Sequence, residues 1–437
     1  MTAKDEISAL DRRHLWHPFT QEQTAPPPIA IREARGAVLT AEDGRQYLDL
    51  ISSWWVTLHG HAHPAIAAAI ACQAERLEQV IFAGFTHRPA VELAHRLAGL
   101  LPGGLDRVFF SDDGSTAVEV ALKLSHQYWR NRGRARPRFL AFAGGYHGDT
   151  VGAMSAGARS DFFDAFSDLL FPVDALPYPE TWQGDKAVEE KEAAALAALE
   201  TYLDKHGAET AAMIMEPLIQ GASGMRMCRP EFLRAVAKRL RKSEVLLIFD
   251  EVMTGFGRTG ALFASLKAKV TPDLICLSKG LTGGFLPLSV TVCRNHIYEA
   301  FLDESFAKAF AHGHSFTANP LGCAAALASL DLLEGEETQR RWGEIETLHR
   351  RRLTALADHP KIAHARVTGT VAALDFKSDE SGYCAAIGLR LKNFFLQRGL
   401  LLRPLGNVVY LLAPYCITNA QLNTAYDAIE MAADEIA

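Results

Sequence analysis

Short continuous apolar runs alternate along this chain with longer stretches in which apolar residues recur every three or four positions. That is the pattern of buried parallel strands separated by covering helices. The run at 245–249 predicts a strand buried on both faces that stops abruptly in carboxylates, 274–277 ends the same way in Ser278 and Lys279, and 108–111, 138–142 and 212–215 predict further strands. Between them, Ile66, Ile70, Ala74 and Leu77 follow Pro64 at helical spacing, and Val120, Leu124 and Tyr128 follow Gly114 with Ser115 or Thr116 as the expected cap. The charged, alanine-rich stretch 187–205 predicts a covering helix stopped near Gly207. Upstream of residue 58 the chain reads as irregular, with short strands near 29–31 and 37–40 and a turn over Glu42, Asp43, Gly44 and Arg45. Past residue 329 one long charged helix to about 357 is expected. A smaller unit follows it, with strands near 365–376, 400–403 and 408–413 and a helix over 385–398.

The polar exits of these runs carry the candidate chemistry. The stretch VLLIFDEVMTGFGRTG ends an apolar run in Asp250 and Glu251, and LICLSKGLTGG ends another in Ser278 and Lys279. In an open parallel sheet the ligand lies beyond the carboxyl ends of the strands, so a carboxylate and an amine would enter one crevice. That pairing suits pyridoxal phosphate, whose aldehyde takes a lysine as a Schiff base and whose ring nitrogen takes a carboxylate partner. The plainer alternative is an aspartate capping a helix and a lysine on the surface. In DDGSTAVEV the helix start at Gly114 and Ser115 is a place for phosphate, as any capped helix start could be. Tyr146 in AGGYHGDT either stacks on a flat ring or packs on its own loop. In SSWW one of two adjacent tryptophans faces a cavity or plugs a domain junction. Arg403, emerging from an apolar run, takes a substrate carboxylate or an internal acid. His312, His314, Ser315 and Thr317 read as loop residues without the spacing of a metal site, where a hydroxyl could reach phosphate.

Composition narrows the class. With 437 residues the chain exceeds one ordinary core, and 49% hydrophobic with 22% charged residues is the balance of a soluble globular protein. A net charge of −6 without a basic stripe speaks against nucleic acid, and no uncharged apolar stretch is long enough to span a membrane. The first residues lack an apolar signal core, so a cytoplasmic location is expected. Seven scattered cysteines without CxxC pairing fit buried thiols in a reducing compartment, and no metal is expected.

With these residues assembled, the chain resembles the fold type I, class III aminotransferases that depend on pyridoxal 5′-phosphate. DEVMTGFGRTG with LSKGLTGG carries the class, and HLWHPF, SSWWVTLHG, GGYHGDT and LLRPLG point to its branch that aminates 8-amino-7-oxononanoate in biotin synthesis. The resemblance implies an α/β large domain with a mostly parallel seven-stranded sheet over residues 61–328. A smaller α+β domain would be built from both termini, 1–60 joining 329–437. It also implies roles. Lys279 would carry the cofactor, Asp250 pair with its ring nitrogen, Tyr146 stack on the ring, and Gly114 with Ser115 hold the phosphate. Ser315, with His314 beside it, would reach the phosphate of the partner subunit in a homodimer with shared sites. Trp54 would line the substrate cavity, Gly313 touch substrate through its backbone, and Arg403 take the distal carboxylate. Arg258 and Asp149 match positions near the site. Where many members have tyrosine, this chain has Phe19. The lost hydroxyl makes the pocket drier and bears on the amino donor, S-adenosylmethionine being expected and lysine the alternative. Another class III enzyme acting on ω-amino acids or diamines, a decarboxylase or aminomutase on the same fold, and a binding protein without activity are the other readings.

Overall fold

The computed structural model describes residues 3–157, 164–378 and 385–436, so Cys384 lies outside the described residues. The apolar runs assemble into one seven-stranded sheet. In chain order its strands are β1 (Leu105–Ser111), β2 (Arg138–Phe142), β3 (Asp174–Leu176), β4 (Thr210–Met215), β5 (Leu246–Asp250), β6 (Leu274–Leu277) and β7 (Ser289–Arg294). Across the sheet the order is β1-β7-β6-β5-β4-β2-β3. Strands β6, β5, β4, β2 and β3 run parallel, and β7 is antiparallel to both neighbours. Every residue of β4, β5 and β6 is buried, the condition under which a strand loses alternation and reads as a continuous apolar run.

Two strands of this sheet are not marked by an apolar run in the sequence. β3 is only three residues long. β7 alternates Ser289 and Thr291 with Val290 and Val292, and all four are buried. Thr291 tolerates this because its hydroxyl donates to the Ala117 carbonyl at 2.7 Å.

Helix α1 (Gly114–Asn131) follows β1, and its cap corrects the expectation. Asp113, not Ser115 or Thr116, is the N-cap: its carboxylate accepts the Thr116 N–H at 3.0 Å while the Thr116 hydroxyl accepts the Asp113 N–H. The single long helix expected beyond residue 329 is two, α2 (Pro320–Glu334) and α3 (Glu336–Leu356). They are parted by Gly335, a poor helix former held extended. The strand expected over 365–376 is a hairpin, Ile362–Thr368 against Val371–Phe376, extended by Val408–Leu411. The segment read as irregular at the start holds a helix, Ala3–His14.

The two ends of the chain meet. Ile31–Arg35, Val38–Ala41 and Gln46–Asp49 form a meander, and Leu400–Leu401 adds to Gln46–Asp49 in parallel. Backbone bonds continue the seam, Leu412 N–H to Leu50 O at 2.9 Å and Tyr415 N–H to Leu58 O at 2.7 Å. The loop from Leu50 to Leu58 is thereby pressed against the carboxyl edge of the large sheet.

Candidate active site

The parallel strands β2, β4, β5 and β6 all end on one side, and their exits line a cavity of about 480 Å³. β5 delivers Asp250, β6 is followed by Lys279, β4 by Glu216, and the loop after β2 brings Tyr146, His147 and Gly148. The start of α1 contributes Gly114 and Ser115.

Asp250 is buried, and both its oxygens are engaged. Oδ1 accepts the Val252 N–H at 3.1 Å, and Oδ2 accepts the His147 Nδ1–H at 2.7 Å. A carboxylate only accepts, so Nδ1 carries the proton and Nε2 is left as a buried atom without a partner among the described residues. Each carboxylate oxygen retains a lone pair for a third group in the cavity. Lys279 is held at φ +44°, a left-handed conformation that a lysine adopts only where its surroundings impose it. Burial pushes its amine below the ordinary lysine range, against the pull of Asp250 and Glu216. Its Nζ stands 4.9 Å from the Trp55 ring centroid and has no hydrogen-bond partner among the described residues. Burial likewise pushes the Glu216 carboxyl up to about 7, offset in part by His147 and by the N–H groups of Gly221 and Tyr146.

The floor for a phosphate is equally specific. The N–H groups of Gly114 and Ser115 open the helix without an acceptor among the described residues, so the positive end of α1 faces the cavity. Gly148 sits at φ +126°, and a Cβ there would lie 2.0 Å from Ser115 Oγ. A Cβ on Gly114 would lie 2.7 Å from Val252 Cγ1. Tyr146 donates its hydroxyl to Asp149 at 3.0 Å, which keeps the phenol tethered beside the ring space.

The remaining sequence candidates fall into two places. Trp54 is not in the cavity wall; Trp55 is, with its Nε1–H on the Tyr410 hydroxyl at 2.9 Å. Trp54 stands 4.3 Å beneath the Arg403 guanidinium and edge-on to Phe19 at 5.8 Å. The structure thus gathers Phe19, Trp54 and Arg403 into one cluster. Gly313, His314 and Ser315 lie outside the cavity wall, the His314 ring 3.3 Å from Asp112, which does line it. Arg258 is buried and ties the chain ends together, donating to the carbonyls of Ala413 and Thr57. His147, Glu216 and Trp55 were not assigned roles from sequence. Only their adjacency to Tyr146, to the end of β4 and to Trp54 signalled them.

Comparison with known proteins agrees with this geometry. The model of the class III aminotransferase family matches residues 19–433. The adenosylmethionine-8-amino-7-oxononanoate aminotransferase of Synechococcus elongatus is 58% identical over 97% of this chain and 99% of its own length. The crystal structure of the enzyme of that name from Methanocaldococcus jannaschii superposes with a TM-score of 0.92 at 34% identity, covering 99% of both chains. An (S)-enantioselective omega-transaminase from Thermomicrobium roseum also reaches 0.92, at 29% identity over 99% of this chain and 98% of its own. The buried carboxylate and amine at the strand ends, the open helix start and these full-length matches lead to one conclusion: this chain belongs to the class III aminotransferases.

Proposed function

We propose that this chain transfers an amino group to 8-amino-7-oxononanoate, giving 7,8-diaminononanoate for biotin synthesis, with S-adenosylmethionine as donor and pyridoxal 5′-phosphate as cofactor. What carries the reading is the meeting of Asp250 and Lys279 at one buried cavity, in a chain whose near-full-length relatives are named for that reaction. The residues fit the cofactor. Glycine at 114 and 148 lets the start of α1 and the loop after β2 close on Val252 and Ser115 where a Cβ would collide, and Asp250 lines the cavity with lone pairs to spare. When bound, pyridoxal phosphate supplies the aldehyde that takes the amine and the ring that delocalises charge from the substrate carbon.

The side chains do the rest. Lys279, its amine pushed below the ordinary lysine range by burial, holds the cofactor and then carries a proton to and from the substrate carbon. Asp250, oriented by His147, keeps the ring nitrogen protonated. Gly114 and Ser115 bind phosphate, and Tyr146 covers the ring. Arg403 takes the substrate's distal carboxylate, with Trp54 against its face and Phe19 beside them. Gly313, His314 and Ser315 serve the site of a second copy in a cytoplasmic homodimer, a reading supported by exposed Ile81, Phe85, Phe306 and Phe316. Residues 61–328 form the large domain, and 1–60 with 329–437 the small one.

The test is spectral. The holoenzyme is mixed with S-adenosylmethionine or with lysine, and the loss of the cofactor's visible band is followed. Loss with S-adenosylmethionine that 8-amino-7-oxononanoate then reverses supports the reading in full. Loss with lysine alone changes the donor and keeps the product. Loss only with ω-amino acids or simple amines overturns the biotin assignment in favour of the activity named for the Thermomicrobium enzyme.

A further inference from the structure

The segment between the N-terminal meander and the cavity has an unusual backbone. Ser52, Ser53 and Trp55 have φ of 53°, 59° and 67°, and none of them is glycine. Left-handed residues in such a cluster persist only where the surroundings over-determine them. One buried side chain does much of this. Asp49, with no exposed surface, accepts the Ile51 N–H on Oδ1 at 3.1 Å and the Ser53 N–H on Oδ2 at 2.7 Å. His61 Nε2 approaches the same Oδ2 at 2.9 Å. Asp49 is in turn fixed by β-pairing to Leu401, two residues before Arg403.

The consequence of the contorted backbone is that two adjacent indoles work in different places. Trp55 faces Lys279 and is anchored independently, through Nε1 on Tyr410. Trp54, 42% exposed, is the residue directly after the Ser53 N–H that Asp49 holds, and its ring meets Arg403 and Phe19. We infer that Asp49 is a positioning residue for substrate selectivity: by clamping the 51–53 backbone it presents Trp54 to Arg403 and so shapes the seat of the substrate carboxylate. This rests on the proposed role of Arg403. It adds a residue that touches neither substrate nor cofactor.

The test is Asp49→Asn in the holoenzyme. An amide keeps the size but has one acceptor oxygen for two N–H groups. The acceptors compared are 8-amino-7-oxononanoate and a chain-matched amino ketone without the carboxylate. The expected result is a rise in KM for the carboxylate substrate of about tenfold or more, as for a misplaced binding group. Its kcat, the cofactor's absorption and the KM for the uncharged ketone should stay within about twofold of the parent. In a Trp54→Ala background the same substitution should have no further effect on that KM. Equal losses on both ketones, additive losses in the double variant, or no change at all would overturn the inference. Where Asp49→Asn does not accumulate, His61→Gln, which removes one partner of the clamp, is measured the same way and should show a smaller shift of the same selectivity. If the parent protein itself does not distinguish the two ketones, it is the role of Arg403 that fails.

Discussion

Replacing Asp250 by asparagine isolates the charge at the centre of the site while keeping its volume. In the parent protein the two carboxylate oxygens accept separate N–H groups, from Val252 at 3.1 Å and from His147 at 2.7 Å. Asparagine has one oxygen, so one of those donors must face an NH₂ group, at a cost of about 1 to 3 kcal/mol for an unsatisfied buried donor. The larger loss falls on the ring nitrogen opposite. Asp250 is buried, and leaving a cationic ring nitrogen there without its carboxylate partner would cost about 3 to 5 kcal/mol. At about 1.4 kcal/mol per tenfold, that corresponds to a drop of roughly two to three and a half powers of ten in the first half-reaction. The assay is single turnover: cofactor-loaded variant against excess amino donor, with the visible band followed by stopped flow and bound cofactor quantified after release in alkali. A rate within tenfold of the parent at full cofactor content would refute the assignment of Asp250 to the ring nitrogen.

Gly148→Ala should weaken cofactor binding by a factor of ten or more, because the new methyl would meet Ser115 Oγ at 2.0 Å in a left-handed backbone; equilibrium dialysis of the cofactor reads this directly. Phe19→Tyr adds a hydroxyl beside Trp54 and should change the donor's KM by up to about tenfold, the worth of one hydrogen bond of about 0.5 to 1.5 kcal/mol, with kcat unaltered. Glu251, fully buried on the N–H groups of Ala264 and Ser265, is pushed up to about 7 by burial. A carboxyl raised in the folded state contributes stability that is full below the ordinary value near 4.5 and is lost as pH rises through about 7. Melting curves should therefore show the parent losing more stability than Glu251→Gln between pH 5 and 8, with part of the slope retained because Glu216 shifts in the same direction. On the proposed homodimer with shared sites, mixing subunits of Lys279→Ala with subunits of Ser315→Ala should restore one intact site per mixed dimer and raise activity above either variant alone; no gain on mixing would refute that sharing.

The chain by itself determined a good deal. Strands buried on both faces must be continuously apolar, so β4, β5 and β6 stood out, and so did the charges that ended them, Asp250 and Lys279. Gly114 was visible as the opening of a capped helix, whereas the need for glycine at 148 comes from its close approach to Ser115 in the fold. What local pattern does not carry is contact between distant segments. His147 meets Asp250 across 103 positions, and nothing near either residue foretells the other. Trp54 and Trp55 were indistinguishable in sequence, since both are large, apolar and adjacent. Only the left-handed turn held by Asp49, itself fixed by pairing with Leu401, sends one toward Lys279 and the other toward Arg403. Periodicity reports which face of a segment avoids water. Which partner waits on that face is decided when the two ends of the chain close on the sheet.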